Sequence, residues 1–204
     1  MRVAWIAAAL VAVLVGGCGG ERQDEDEPEG EFRIQVTRAA FPAEQHIADS
    51  SKLRIEVRNA DDETVPNVAV TVKTKAPGGG GAAVAFGEDT GDTRLADAQK
   101  PIWIVDRGPE GGDTAYTGTW SLGPMPPNSS RTFEWNLTPV RPGSYTVAYV
   151  VAPGLDGNAR AVQGERTRGS FDVTISDEPV PARVDEEGGV VRGEEAGGGD
   201  EPPN

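Results

Sequence analysis

Six short stretches of the chain alternate apolar and polar residues, and this period of two narrows the fold more than any other feature. A period of two places the apolar side chains on one face of a β-strand, as in an antiparallel sheet that buries one face. The stretches are FRIQV from Phe32, KLRIEV from Lys52, VAVTV from Val68, TFEWNL from Thr132, YTVAYVV from Tyr145 and FDVTI from Phe171.

Less regular strand candidates complete the pattern. They are PIWIV (101–105) and AYTGTWSL (115–122). The best helical candidate after the N-terminal segment is a turn or two around Pro42 to Ala48. The segment 76–100, with four consecutive glycines at 78–81, is predicted to be a long inserted loop. The sequence therefore predicts an all-β chain, with an antiparallel sandwich of seven to eight strands over residues 32–176.

Two longer stretches resemble bacterial immunoglobulin-like domains. LRIEVRNADDETVPNVAVTV is similar to the opening strand, polar turn and second strand of such domains, and RTFEWNLTPVRPGSYTVAYVV is similar to their later half. The resemblance implies an immunoglobulin-like β-sandwich and says far less about function. The matching residues are Asn59, Pro66, Asn67, Pro142, Gly143 and Tyr145.

Charge is concentrated outside this predicted domain. The chain has a formal charge of -14, with 33 acidic and 19 basic residues, and most of the excess lies in residues 19–31 and 177–204. Both segments have few large apolar residues, so we expect disordered acidic segments on either side of a nearly neutral domain. Repulsion between this charge and phosphate groups argues against nucleic acid as a partner.

The N-terminus has the organisation of a bacterial lipoprotein signal. Met1 and Arg2 precede an apolar run over 3–15, which is shorter than the roughly 20 residues that span a bilayer as a helix. The sequence Val15-Gly16-Gly17-Cys18 then resembles the lipobox, and Cys18 is the only cysteine of the chain. An ordinary secretory signal or an uncleaved anchor with an incidental cysteine is the alternative.

The lipobox resemblance implies the topology of the whole chain. Residues 1–17 would be a signal peptide, and Cys18 would carry a diacylglyceryl thioether, commonly joined by an N-terminal acyl chain such as palmitate. Residues 18–31 would be the lipidated cysteine and an acidic linker, 32–176 the domain, and 177–204 a disordered tail. The protein would then lie at the extracytoplasmic face of the cell membrane, held there by its lipid anchor.

The usual catalytic groups are scarce. His46 is the only histidine and is interpreted as an exposed loop residue, no serine has a G-x-S-x-G context, and glycines 78–81 lack the Lys-Ser/Thr of a phosphate loop. We expect no enzyme activity and no cofactor.

Two acidic stretches, GEDTGDTRLAD and DRGPEGGDT, are candidates for a metal site because calcium takes six to eight oxygen ligands. Neither stretch matches the twelve-residue calcium loop, and solvated turns are the preferred interpretation, so no metal is expected. The candidate ligands are Asp89, Asp92, Asp106 and Asp113.

The aromatic residues have two interpretations. On one exposed face they could stack on the sugars of a wall polymer, whereas in a sandwich such residues usually fill the core. Alternation with apolar neighbours favours the core. The set comprises Trp103, Trp120, Trp135, Tyr116, Tyr145 and Tyr149.

Together these features predict a membrane-anchored, non-enzymatic binding module of the cell envelope, whose partner is another envelope protein or a cell-wall polymer. The alternative is an accessory subunit of an envelope enzyme or transporter. A third hypothesis, a glycan hydrolase with a carboxylate site, would require Asp106 or Asp113 for turnover.

Overall fold

The computed structural model describes residues 27–75, 82–83, 85–88, 101–184 and 188–192. These residues form sixteen β-strands and, within the described ranges, no α-helix. The first eight strands are β1 (Gly30–Phe32), β2 (Ile34–Ala40), β3 (Glu44–His46), β4 (Ser51–Asn59), β5 (Ala69–Lys75), β6 (Ala82–Ala83), β7 (Phe86–Glu88) and β8 (Trp103–Arg107). The others are β9 (Asp113–Tyr116), β10 (Thr119–Ser121), β11 (Ser130–Pro139), β12 (Gly143–Ala152), β13 (Ala159–Ala161), β14 (Arg168–Ser176), β15 (Ala182–Val184) and β16 (Val190–Arg192).

Two large sheets make up the domain. One has seven strands in the order β3-β14-β12-β5-β10-β9, with β6 also paired to β5. The other has five strands in the order β2-β4-β11-β8-β7. The long neighbours pair antiparallel, while β14 with β3 and β7 with β8 are parallel. The architecture confirms the predicted all-β, immunoglobulin-like sandwich. The strand count is higher than the expected seven to eight, because the two sheets together hold twelve strands, several of them only two to four residues long.

The alternation seen in the sequence is the alternation of burial. On β4, Leu53, Ile55 and Val57 are fully buried, and the residues between them are partly or fully exposed. On β11, Phe133 pairs with Ile55 and Trp135 with Leu53, so the buried faces of the two strands coincide. Burial of these side chains between the sheets supplies the main driving force for folding.

Aromatic side chains join the two sheets through the core. The ring centroids of Trp103 in the five-stranded sheet and Tyr145 in the seven-stranded sheet are 5.9 Å apart. Those of Trp120 and Trp135, which also come from opposite sheets, are 5.3 Å apart. Both pairs have edge-to-face geometry. Edge-to-face pairs suit the ring quadrupoles. Tyr149 is also buried. The core interpretation is confirmed for these five residues and wrong for Tyr116, which ends β9 and is 47% exposed.

The helical expectation for 42–48 is wrong. Residues Glu44–His46 form β3, which pairs in parallel with β14. The buried Gln45 explains the conformation, since its Oε1 accepts a hydrogen bond from Trp103 Nε1 at 2.8 Å and its Nε2 donates to Pro42 O at 2.9 Å. Gln45 can be buried because its polar atoms are hydrogen-bonded, and no apolar pattern in the local sequence indicates this burial. His46 accordingly lies in a strand, although it is exposed as predicted.

Two further segments differ from the predictions. The stretch 115–122 is not one strand: β9 and β10 are joined by a turn in which Gly118 has a φ of 74°, a left-handed conformation that favours glycine. The segment 76–100 is not a loop throughout, because it contains β6 and β7 and buries Ala85 and Phe86 in the core. Glycines 78–81 lie outside the described residues.

Both acidic flanks contain structure where disorder was expected. The chain joins the fold before residue 32, because β1 pairs in parallel with β13 through Gly30 and Ala159. In the tail, β15 and β16 form a hairpin that exposes Val184 by 67% and Val190 by 63%. Backbone pairing, which composition does not reveal, accounts for both differences.

Candidate functional site

A groove of about 540 Å³ lies at one end of the sandwich, where the chain crosses from β12 to β14. Its walls come from the end of β12, from β13 and from the turn that follows β13. Exposed polar side chains line it beside Val150, which is 44% exposed; these are Arg160, Gln163 and Arg168, together with the partly exposed Glu165.

Backbone hydrogen bonds fix the crossing segment to the sandwich. Val36 N donates to Arg166 O at 2.7 Å, and Val151 N donates to Thr167 O at 2.7 Å. Val162 N also donates to Phe32 O at 3.0 Å, which joins the groove wall to β1. A loop held at several points presents its side chains on a rigid frame, as binding loops do.

The groove presents two guanidinium groups. Arg160 and Arg168 line it against one acidic residue, Glu165. Arg160 uses Nε to donate to Gly157 O at 3.0 Å, which positions the guanidinium group. Guanidinium groups match carboxylate and phosphate oxygens in a two-point geometry.

Beside the groove, three backbone N–H groups bind one carboxylate. Glu27 Oε2 accepts hydrogen bonds from Leu155 N at 2.5 Å and Asp156 N at 3.0 Å, and Glu27 Oε1 accepts one from Ala159 N at 2.9 Å. We call these three N–H groups the amide nest. A Cβ placed on Gly154 would overlap the Glu27 carboxylate, so a larger residue there would displace that side chain.

The two metal-ligand candidates that the structure describes, Asp106 and Asp113, lie in different sheets. Asp89 and Asp92 lie outside the described residues, as does Cys18. Asp106 is exposed on β8, where its Oδ2 accepts a hydrogen bond from Thr138 Oγ1 at 2.8 Å, and Asp113 begins β9 in the other sheet. Across the described ranges, no three His, Cys, Asp or Glu side chains form a group that could hold a metal.

His46 and Tyr145 both make contacts within the fold. His46 Nδ1 lies 2.9 Å from Glu178 O, close to the start of the tail. Tyr145 donates its hydroxyl hydrogen to Pro142 O at 3.0 Å, the tyrosine corner of immunoglobulin-like sandwiches. The turn at Pro142 and Gly143, which the resemblance to immunoglobulin-like domains includes, therefore has a structural role.

Two side chains with shifted pKa values, Asp61 and Tyr149, are not among the residues that line the groove. Hydrogen bonds from the backbone N–H groups of Arg33 and Asp62 lower the pKa of the Asp61 carboxyl. Burial raises the pKa of the Tyr149 hydroxyl above its ordinary value. These shifts follow from local packing and do not single out a reactive group.

Sequence reasoning missed Glu27, Arg160 and Arg168. Nothing in the sequence separates Glu27 from the other acidic residues of 19–31, and the two arginines are eight positions apart in a turn-rich segment.

In the part of the chain that is described, no helix is long and apolar enough to cross a membrane.

Comparison with known proteins finds only distant structural similarity. No protein-family profile and no curated protein matches the chain. Among solved structures, it is similar to the CARDB domain of a Pyrococcus furiosus protein in complex with di-metal ions, at 16% identity and a TM-score of 0.45, over 73% of this chain and 98% of that one. A cohesin module from a Clostridium perfringens family 33 glycoside hydrolase is 14% identical, with a TM-score of 0.41, over 72% of this chain and 99% of that one. The sheet topology described above defines the class of this domain as an immunoglobulin-like β-sandwich.

Proposed function

We propose that the protein is a lipoprotein anchored at the extracytoplasmic face of the bacterial cell membrane, and that its sandwich is a non-enzymatic module that binds an anionic component of the envelope. The observation that carries the binding role is the groove, where Arg160 and Arg168 face solvent on a segment fixed by backbone hydrogen bonds. The ligand would present carboxylate or phosphate groups, which envelope proteins and wall polymers both supply.

The position of Cys18 supports the anchor. The only cysteine follows two glycines and an apolar run of signal-peptide length. An extended, unhindered backbone suits cleavage before the cysteine, and a thiol is the group that accepts the diacylglyceryl chain. Two or more acyl chains give stable membrane attachment, whereas one is marginal.

Site-specific photocrosslinking in the native bacterium tests the groove. A benzophenone side chain replaces Gln163, an exposed groove residue, or Thr132, an exposed residue of β11 in the other sheet. We expect an adduct from position 163, none from position 132, and loss of the adduct when Arg160→Gln and Arg168→Gln are combined with the crosslinker. Equal adducts at both positions, or none at 163, would overturn the binding proposal.

The nature of the adduct shows whether the anionic partner is a protein or a wall polymer. A product of discrete mass that muramidase leaves unchanged shows a protein partner. A product whose mass collapses on muramidase digestion shows a wall polymer.

Metabolic labelling tests the anchor separately. An alkyne fatty acid should label the wild-type protein, and Cys18→Ala should abolish the label and leave the larger precursor. A Cys18→Ala protein of mature size with unchanged membrane partitioning would refute the lipoprotein proposal.

A further inference from the structure

The end of the acidic linker is bound to the same segment that forms the groove. Both carboxylate oxygens of Glu27 are held by the amide nest, and Ala159, which supplies one of its N–H groups, also lines the groove. Charge-assisted hydrogen bonds of this kind are about twice as strong as neutral ones.

The nest is built for a carboxylate. Asp156 Oδ1 accepts a hydrogen bond from Asn158 N at 2.8 Å, which sets the turn between the N–H groups that face Glu27. Gly154 leaves the space that the carboxylate fills. A backbone nest of this type is a recognised way to hold an anionic group.

Strand pairing continues the attachment from Glu27 into the domain. Gly30 N donates to Asn158 O at 3.3 Å, β1 runs parallel to β13, and Phe32 is buried. The linker therefore meets the domain at the groove end. The far end of β14 is eight residue steps away, or about 27 Å along the nine-residue strand at ~3.4 Å per step.

We propose that Glu27 in the amide nest is a latch that fixes the linker beside the groove and so holds the groove at the membrane-proximal end of the domain. The inference rests on the proposed lipid anchor at Cys18. The nine residue steps from Cys18 to Glu27 span at most about 32 Å at ~3.5 Å each, so the groove meets a partner close to the bilayer surface.

Hydrogen exchange tests the latch on the detergent-solubilised lipoprotein. In Glu27→Gln we expect the amides of Leu155, Asp156 and Ala159 to exchange about tenfold faster or more, because a charged acceptor is lost. The matched control is Glu29→Gln, since Glu29 is exposed and has no hydrogen bond within the described residues. Unchanged exchange in Glu27→Gln, or equal acceleration in both variants, would overturn the latch.

Energy transfer in proteoliposomes tests the orientation. A single new cysteine at Gln163 or at Asp177, at opposite ends of β14, carries the donor dye, and the acceptor lies in the bilayer. We expect higher transfer from 163 than from 177, and a smaller difference in Glu27→Gln combined with Gly30→Pro. Equal transfer, or higher transfer from 177, in the otherwise wild-type protein would contradict the orientation.

Lengthening the linker tests the membrane-proximal partner in cells. Duplication of residues 19–26 adds eight residues, or up to about 28 Å of reach. The photocrosslinked adduct at position 163 should fall severalfold, whereas a partner far from the membrane would give an unchanged or stronger adduct. If the yield of the adduct does not depend on linker length, the membrane-proximal orientation is wrong and the binding proposal is unaffected. If no adduct forms with the original linker, the binding proposal itself is wrong.

Discussion

At the residue scale, Asn59 shows how one buried amide joins two turns. Its side chain is fully buried; Nδ2 donates to Glu63 O at 2.8 Å and to Met125 O and Pro126 O, each at 3.0 Å, and Oδ1 accepts from Asp61 N at 2.9 Å. Every polar atom of the side chain is satisfied, as burial requires. The strand-ending asparagine of the sequence resemblance therefore organises the turn after β4.

Replacing this amide with a carboxyl group should be severely destabilising. Asn59→Asp keeps the shape but aims an oxygen at three carbonyl oxygens, and we expect a loss of about 3 kcal/mol or more in the free energy of unfolding. The control is Asn128→Asp, an exposed turn residue with a φ of 57°, which should change stability by less than about 0.5 kcal/mol. Urea denaturation at pH 7 measures both, and equal effects would contradict the assignment.

Glu134 should contribute to acid sensitivity. Hydrogen bonds from Arg54 Nε at 2.5 Å and Lys52 Nζ at 3.2 Å lower the pKa of its carboxyl below the ordinary value of 4.5. Because the folded-state pKa is below the unfolded one, the stabilisation is present above about pH 4.5 and is lost as the pH falls through the folded pKa. The effect is small, since the group is exposed.

Urea denaturation from pH 7 to pH 3 measures this contribution. Wild-type protein should lose more stability over that range than Glu134→Gln, which has no proton to gain. Parallel stability curves for the two proteins would show that the ion cluster contributes nothing.

At the element scale, long amphipathic strands were predictable and short ones were not. β4 and β11 follow from alternation because each buries one complete face, from Leu53 to Val57 and from Phe133 to Leu137. β3 and β7 have three residues each, too few for a period to show, and their conformation is set by pairing with β14 and β8.

The candidate site was beyond prediction for a related reason. Arg160 and Arg168 line one groove because β13 lies against β12, and β13 is also paired with β1. The binding of Glu27 depends on backbone N–H groups, which every residue but proline has and which no sequence pattern marks. Side-chain periodicity therefore reveals sheets, whereas sites made from loop backbones need the folded chain.

A cross-strand pair between β12 and β14 gives a prediction at this scale. Gly169 lies opposite Tyr149, and a Cβ added to Gly169 would lie 2.5 Å from the tyrosine hydroxyl oxygen and 2.7 Å from its Cζ. Tyr149 is buried and packs against Phe171 at 5.6 Å, so it cannot move freely. We expect Gly169→Ala to destabilise the domain by about 1–3 kcal/mol through overpacking.

Gly108→Ala is the matched control. A Cβ at Gly108 would lie 3.9 Å from its nearest neighbour, Trp120 Nε1, which is an ordinary contact. Thermal unfolding should separate the two variants, with Gly108→Ala within about 0.5 kcal/mol of wild type. Equal melting temperatures for the two variants would show that Tyr149 adjusts without loss.

At the scale of the whole molecule, the two acidic flanks differ in what holds them. The N-terminal flank enters the fold through a bound carboxylate, a parallel strand pair and the buried Phe32. The described part of the C-terminal flank is a hairpin whose Val184 and Val190 are 67% and 63% exposed. Similar composition therefore gives one flank that positions the domain and one that adds little to the core.

Removing part of each flank should expose this difference. A stop codon after Val180 deletes the hairpin, whose Val184 and Val190 are exposed, and should change the free energy of unfolding by less than about 0.5 kcal/mol. Glu27→Ala removes the acceptor of three backbone N–H groups and should lower it by about 1–2 kcal/mol, although it alters only one side chain. Urea denaturation of the solubilised lipoprotein compares them. A larger loss from the truncation than from Glu27→Ala would mean that the C-terminal hairpin stabilises the domain more than the bound Glu27 does.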